Sequence, residues 1–251
     1  AALRDSAFAL VLYEAEAASP HMLEELRHFL TTHRPHGAIL MPPLSAQTGL
    51  VDLCLELSVQ PVRLSPSGLN GAAPTLCSND RQAAADATNY LIALGHKRIG
   101  FIAGPEHCPS AQQRELGFID ALAAHELDRG AELVAPSDGS LASGEAAARL
   151  LLEVSPRPTA IFAASDEIAA GALRAAQALK VAVPDALSII GFGDTAFAAL
   201  LPVSLTSVRL PISEMAFSAA IQLIGDASAP PQPAEFFGTL IARATTGPAP
   251  N

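Results

Sequence analysis

Residues 187–194, Leu-Ser-Ile-Ile-Gly-Phe-Gly-Asp, form a short apolar run that ends in a glycine turn and a carboxylate. The run reads as a buried strand of a parallel α/β sheet. Ligands of such sheets bind at the carboxyl ends of the strands, and Asp194 stands at this one. Gly191-Phe-Gly193-Asp-Thr-Ala196 also fits the loose dinucleotide pattern G-x-G-x-x-A. Asp194 argues against that use, because its charge would lie where a pyrophosphate must sit and would oppose the attraction of a helix N-terminus for anions. An acidic ribose partner is expected at the end of a second strand about 20 residues on. Glu214 falls inside a helical pattern instead.

Outward from this strand, apolar runs alternate with segments of helical period, the pattern of βαβ units and a parallel sheet. Strands are predicted over 7–13, 37–41, 61–64, 98–103, 131–135, 159–164, 187–192, 205–210 and 239–244. Helices are predicted over 20–33, 48–58, 81–94, 112–125, 143–154, 166–179 and 212–224. In the first helix Met22, Leu23, Leu26, Phe29 and Leu30 face inward. Asp80 is the expected N-cap of the third helix and Gly95 its left-handed stop. A loop rich in Ser, Gly, Pro and Asn runs through Pro74, and a proline-rich linker occupies 229–233. Two runs of α/β units, split near 78–80, predict two similar lobes.

The chain has 251 residues, enough for one large or two smaller domains. Half the residues are apolar but only 5% are aromatic, with no Trp, so Ala, Leu, Ile and Val must build the core. A net charge of −10 leaves no basic face for nucleic acid within this segment. Cys54, Cys77 and Cys108 lie far apart without a C-x-x-C pair, which points to a reducing compartment and to neither a disulfide framework nor a metal site. No apolar run approaches the roughly 18 residues of a membrane span, and no signal peptide opens the chain.

Catalytic patterns are missing. There is no G-x-S-x-G elbow and no H-E-x-x-H frame, and His96, in a Gly-His-Lys-Arg turn, reads as a surface residue. Two positions invite a binding role. Arg114 stands in the predicted first turn of a helix, where the macrodipole disfavours a cation; it is either a solvated helix residue or a guanidinium aimed at ligand hydroxyls or a carboxylate. Ser165-Asp166-Glu167 closes a buried strand and opens a helix, so Ser165 or Asp166 caps that helix, with or without a ligand to serve as well.

A linked set of motifs resembles the lactose/galactose-repressor (LacI/GalR) family of bacterial transcription regulators. It comprises Asp80-x-x-x-Ala84, Ala87, Leu91, Leu94-Gly-His-Lys-Arg-Ile99, Gly104-Pro105, Arg114-x-x-Gly117-Phe118, Pro158-Thr-Ala-Ile-Phe-Ala-Ala-Ser-Asp166, Ala169-x-Gly171, Val183-Pro-Asp185, Ser188-Ile-Ile-Gly-Phe192, Leu205-Thr-Ser-Val-Arg209 and Ala242-Arg243-x-Thr245. It covers about 6–246. The resemblance implies an α/β fold of two Rossmann-like lobes, the periplasmic-binding-protein type I fold. One lobe would comprise 1–78 with 208–236, and the other 79–207 with 237–248. It further implies a small sugar-like effector bound between the lobes, a cytoplasmic homodimer and no enzymatic activity. Operator DNA would be held by an N-terminal helix-turn-helix and hinge helix that these residues do not include. The family pattern also puts a central strand before Ala1, so the chain is expected to be part of a longer protein.

Carried over by position, the resemblance places Ser110, Arg114, Gly139, Ser165, Glu167, Gly193 and Asp194 at the effector site. Three of these depart from the family. Ser165 stands for a usual asparagine, Gly193 for a ligand-binding aspartate, and Gly139 for a stacking aromatic ring. Each charge-assisted hydrogen bond lost is worth about 1.5–3 kcal/mol, so a larger or less hydroxylated effector than a hexose is expected, unless Asp194 swings inward. The dimer face is expected on the helix over 167–179 and the stretch 197–201, through Ile168, Ala172, Phe197, Ala198 and Leu201. No cofactor and no metal is expected. The rival reading, a periplasmic solute-binding protein of a sugar transporter, shares the fold.

Overall fold

A computed structural model of the chain describes residues 3, 6–15, 19–67, 73–225 and 234–250. Two compact units divide the chain: Ala1–Ser78 with Pro211–Phe236, and Asn79–Leu210 with Phe237–Asn251.

The first unit carries α1 (Met22–His33), β1 (Gly37–Leu40), α2 (Thr48–Glu56), β2 (Gln60–Ser65) and β3 (Thr75–Ser78). In the second unit lie α3 (Asp80–Ala93), β4 (Ile99–Ile102), α4 (Pro109–Ala124), β5 (Val134–Ala135), α5 (Leu141–Glu153), β6 (Ala160–Ala163), α6 (Asp166–Ala178), β7 (Ser188–Gly193) and β8 (Thr206–Arg209). The chain then returns to the first unit with α7 (Ile212–Ile224) and β9 (Ala234–Phe236), and ends in the second with β10 (Thr239–Ile241).

The sheet of the first unit runs β1-β2-β3-β9, parallel throughout. Leu40 packs with Met22, Leu26, Leu30 and Leu50 of α1 and α2, whereas Ile39 packs with Met215, Ala219 and Leu223 of α7. Neighbouring residues of one strand face opposite sides, so helices cover both faces. The sheet of the second unit runs β10-β8-β7-β6-β4-β5, and only β10 is antiparallel to its neighbour. Its core is aliphatic with a small aromatic knot: Phe101 stacks on Phe118 at 4.9 Å and meets Phe162 edge-on at 5.5 Å. Helices α5 and α6 approach very closely. A Cβ at Gly171 would overlap the Leu141 carbonyl oxygen, so only glycine lets the two backbones meet there.

Several elements differ from their sequence reading. Residues 7–13 form no strand. A strand needs the N–H and C=O groups of a neighbour, and among the described residues nothing pairs with this segment. Leu10, Val11 and Leu12 are exposed there. Leu23 is also exposed, one residue outside the buried stripe of Met22, Leu26 and Leu30. Asp80 is not the cap of α3. Asn79 takes that position, and Asp80 is the first helical residue with its side chain buried. Gly95, at φ +93°, ends the helix as expected. Residues 131–133 are a 3₁₀ turn, leaving β5 only two residues. Strands β3 and β9 went unpredicted, since runs of three or four residues beside Pro-rich loops carry too little periodicity. The predicted linker over 229–233, and 68–72 of the loop before Pro74, lie outside the described residues.

His96 is not a surface residue. It is fully buried, with Nδ1 2.9 Å from Thr159 Oγ1 and Nε2 3.1 Å from both Ser188 Oγ and the Gly247 carbonyl. Thr159 immediately precedes β6 and Ser188 begins β7, so the ring ties the amino ends of two central strands to the C-terminal segment. Among the described residues no helix is long and apolar enough to cross a membrane.

Candidate functional site

Strands β5, β4, β6, β7 and β8 run parallel, so their carboxyl ends share one rim of the second unit. Backbone and hydroxyl bonds hold the rim together. The Ala164 N–H donates to the Ile102 carbonyl at 3.0 Å, and Ser137 Oγ donates to the Ala103 carbonyl at 2.6 Å. This is where ligands of open α/β sheets bind.

Arg114 reaches that rim from α4. The helix begins at Pro109, three residues earlier than predicted, so Arg114 lies in its second turn and the expected clash with the macrodipole does not arise. Its side chain is only 16% exposed. Nε donates to Asp80 Oδ2 at 2.9 Å, Nη1 donates to the Ala164 carbonyl at 2.7 Å, and the guanidinium lies 3.9 Å above the centroid of the Phe192 ring. A planar cation over an aromatic face, braced by a carboxylate, is a fixed donor. Among the described residues Nη2 has no hydrogen-bond partner and remains available at the rim.

Ser165 is the N-cap of α6 and accepts from the Ile168 N–H at 3.3 Å, which decides the capping question in its favour over Asp166. Asp166 is fully buried. Its carboxylate accepts from the Thr195 N–H at 2.6 Å, from Thr195 Oγ1 at 2.8 Å and from Ser207 Oγ at 2.5 Å. It thereby pins the turn after β7 to β8. Glu167 is exposed on α6, and Ser110 is half-buried in the first turn of α4. Gly139 has φ +91°, and a Cβ there would come within 3.2 Å of Pro105, so the place of a stacking aromatic is closed.

The turn after β7 is left-handed twice, at Gly193 (φ +127°) and Asp194 (φ +47°). The second is unusual for a residue with a Cβ, and surrounding contacts must hold it. The Asp194 side chain, 4% exposed, lies between two guanidiniums. Oδ2 accepts from Arg209 Nε at 2.6 Å, with Arg209 Nη2 2.5 Å away, and Oδ1 is 2.6 Å from Arg243 Nη2. That last contact is close but not aligned as a hydrogen bond, so it acts as an ion pair. No hydrogen bond or ion pair joins Asp194 to Arg114. Around the rim Arg114, Arg209 and Arg243 thus stand against Asp80 and Asp194, with Asp166 buried beneath the turn.

Three residues expected at a dimer face are core. Ile168, Ala172 and Ala198 are 0–1% exposed and pack inside the second unit, so they have no surface to offer a partner. Ile168 and Ala172 serve the packing of α6 inside its own unit, and Ala198 is buried after β7. Phe197 and Leu201 are half-buried.

His96 and Ser188 form a hydroxyl–imidazole pair that sequence reading did not find. It is sealed at the amino ends of the strands, opposite the rim, and its third partner is a threonine hydroxyl rather than a carboxylate. No substrate reaches it, and a nucleophile needs both access and an oriented base. Among the described residues no three His, Cys, Asp or Glu side chains are grouped to hold a metal ion. Asp80, Phe192, Arg209 and Arg243 were missed as rim residues. For Arg209 a charged side chain ending a short strand was a usable signal.

Residues 88–246 match a family model described as a periplasmic binding protein-like domain. The probable HTH-type transcriptional repressor ExuR of Bacillus subtilis (strain 168) is 30% identical over 215 residues, covering 85% of this chain and 65% of its own length. The chain therefore spans just under two thirds of that relative. A LacI-family transcriptional regulator from Mycobacterium smegmatis superposes with a TM-score of 0.85 at 28% identity, covering 98% of this chain and 91% of the other. The complex of the transcriptional regulator CelR with cellobiose gives a TM-score of 0.80 at 28% identity, with 90% and 71% covered. The chain belongs to the periplasmic-binding-protein-like domain family, in the form found in LacI-family transcriptional regulators.

Proposed function

We propose that this chain is the effector-sensing core of a transcription regulator, and that it binds a small sugar-like molecule at the carboxyl-end rim of the second unit without transforming it. The position of Arg114 carries this reading: a guanidinium 16% exposed, braced by Asp80 and the Ala164 carbonyl and laid over Phe192, with Nη2 making no hydrogen bond among the described residues. Such a preorganised fork suits a hydroxyl or carboxylate oxygen. Ser110, at the start of α4, and Ser165 and Glu167, at the start of α6, are the further donors and acceptors assigned to the effector in this reading. Gly193 leaves room rather than a contact, which fits an effector larger than a hexose. CelR, a neighbour in fold, is a regulator that holds cellobiose.

In this reading the effector changes the affinity of the whole protein for operator DNA, and a coupling of about 1–3 kcal/mol is enough. The chain works in the cytoplasm, where operator DNA is, and pairs with a second copy through the surface near Phe197 and Leu201, beside the exposed Leu200. The solute-binding alternative is not favoured, because the relatives are named as regulators. A thermal-shift screen with glucose, cellobiose and a sugar acid tests the proposal. Saturable stabilisation, about 2.7 kcal/mol at a hundredfold excess over Kd, with the ligand recovered unchanged, is expected. Product formation would overturn it.

A further inference from the structure

The crossings between the two units leave a pattern at the rim that ligand binding alone does not require. Strand β8 ends at Arg209, two residues before the chain passes to the first unit at Pro211, and β10 begins at Thr239, two residues after it returns at Phe237. The two strands pair with each other, with Thr239 opposite Arg209. Arg209 also lies level with Gly193 of β7. One carboxylate gathers all three segments: Asp194, in the turn after β7, holds Arg209 from β8 and Arg243 from just beyond β10.

Both arginines are fixed elsewhere too. Arg243 Nη1 donates to the Leu205 carbonyl at 2.6 Å and its backbone N–H to Thr206 Oγ1 at 2.8 Å, so its main chain cannot move apart from β8. The Asp194 N–H donates to Ser207 Oγ at 3.0 Å, and that hydroxyl in turn donates to the buried Asp166. The left-handed turn is therefore held from β8 by a hydrogen-bond relay and from its side by two charges. Arg243 is largely covered, but the Arg209 side chain is 56% exposed and its Nη1 has no partner among the described residues.

We propose that Asp194, Arg209 and Arg243 form an ionic clasp that couples the rim turn after β7 to the two strands adjoining the unit crossings, so that release of Arg209 from Asp194 loosens β8 and β10 together with the turn. Resting on the effector-binding reading, the clasp supplies its means of transmission: a ligand oxygen drawn to the exposed edge of Arg209 competes with Asp194 for the same guanidinium. Asp194 is then a positioning residue and not a ligand contact.

Hydrogen exchange on the intact chain, without ligand, tests the coupling. Arg209→Gln keeps the buried Asp194–Arg243 pair and removes only the exposed partner, so it leaves the fold in place; Asp194→Asn removes both ion pairs and serves as the stronger variant. Each is expected to raise exchange at least tenfold in 192–196, 206–210 and 239–243 alike, while 99–103 and 160–164 keep the wild-type rate. A rise confined to 192–196 would overturn the proposal, as would a uniform rise through the second unit or no change in Arg209→Gln. Because no ligand is present, failure of the clasp is distinct from failure of the effector reading, which the thermal-shift screen decides.

Discussion

Replacement of Arg114 by alanine removes a charge-assisted hydrogen bond of 2.9 Å to a carboxylate 1% exposed and a cation 3.9 Å above an aromatic ring. The first is worth about 1.5–3 kcal/mol and the second about 0.5–1 kcal/mol at a partly exposed site. Arg114→Ala should therefore destabilise the second unit by about 2–4 kcal/mol. A double-mutant cycle with Asp80→Asn separates the two parts, because the Phe192 contact lies outside the cycle and only the Asp80 contribution appears as coupling. The chain has two tyrosines and no tryptophan. In a Tyr13→Phe background Tyr90 alone reports on the second unit, where it lies. Urea unfolding followed by its fluorescence gives each free energy, provided the slope with denaturant stays constant across the four proteins. A coupling of about 1.5–3 kcal/mol is expected. A coupling below about 0.5 kcal/mol would place the guanidinium in solvent and refute the reasoning.

Three further outcomes follow from the packing and the buried groups. Gly171→Ala should cost about 1–3 kcal/mol by forcing α5 and α6 apart; a gain, as at an exposed helical glycine, would contradict the close approach. Burial holds the His96 imidazole below its ordinary range, partly offset by its hydrogen bond to the Gly247 carbonyl. As pH falls through about 6.5 the unfolded chain takes up a proton that the folded chain does not, so the urea midpoint should drop between pH 7 and 5, and His96→Gln should flatten that dependence. Burial pushes the Cys54 thiol up to about 11, so at pH 8 iodoacetamide should modify Cys54 last of the three cysteines; equal rates at Cys54 and Cys108 would refute its enclosure.

The parallel sheet of the second unit was legible because its strands are long apolar runs, such as 187–192, set between helices of clear period. Asp80, Arg209 and Arg243 were not, since their roles depend on partners 34, 15 and 49 residues away in the chain. Asp80 opens a helix as a capping residue does, and nothing local reveals that its carboxylate turns inward to Arg114. Likewise Ile168 and Ala172 were expected on a dimer face, and only the packing of α6 inside its own unit shows that they are already covered. His96 reads as a loop residue because its partners, Thr159, Ser188 and Gly247, come from three distant segments. Gly193 and Gly139 could be placed by resemblance, but the reason each lacks a side chain lies in φ angles that sequence does not print.

Calorimetric titration of the sugar that gives the largest thermal shift, into the wild-type chain and into Arg114→Lys, tests the effector site most directly. Lysine keeps the charge but not the planar fork, and one charge-assisted hydrogen bond of about 1.5–3 kcal/mol corresponds to a loss of at least tenfold in affinity. The account predicts one-to-one binding that weakens by that factor or more in the variant. Equal affinity in the two proteins would contradict it.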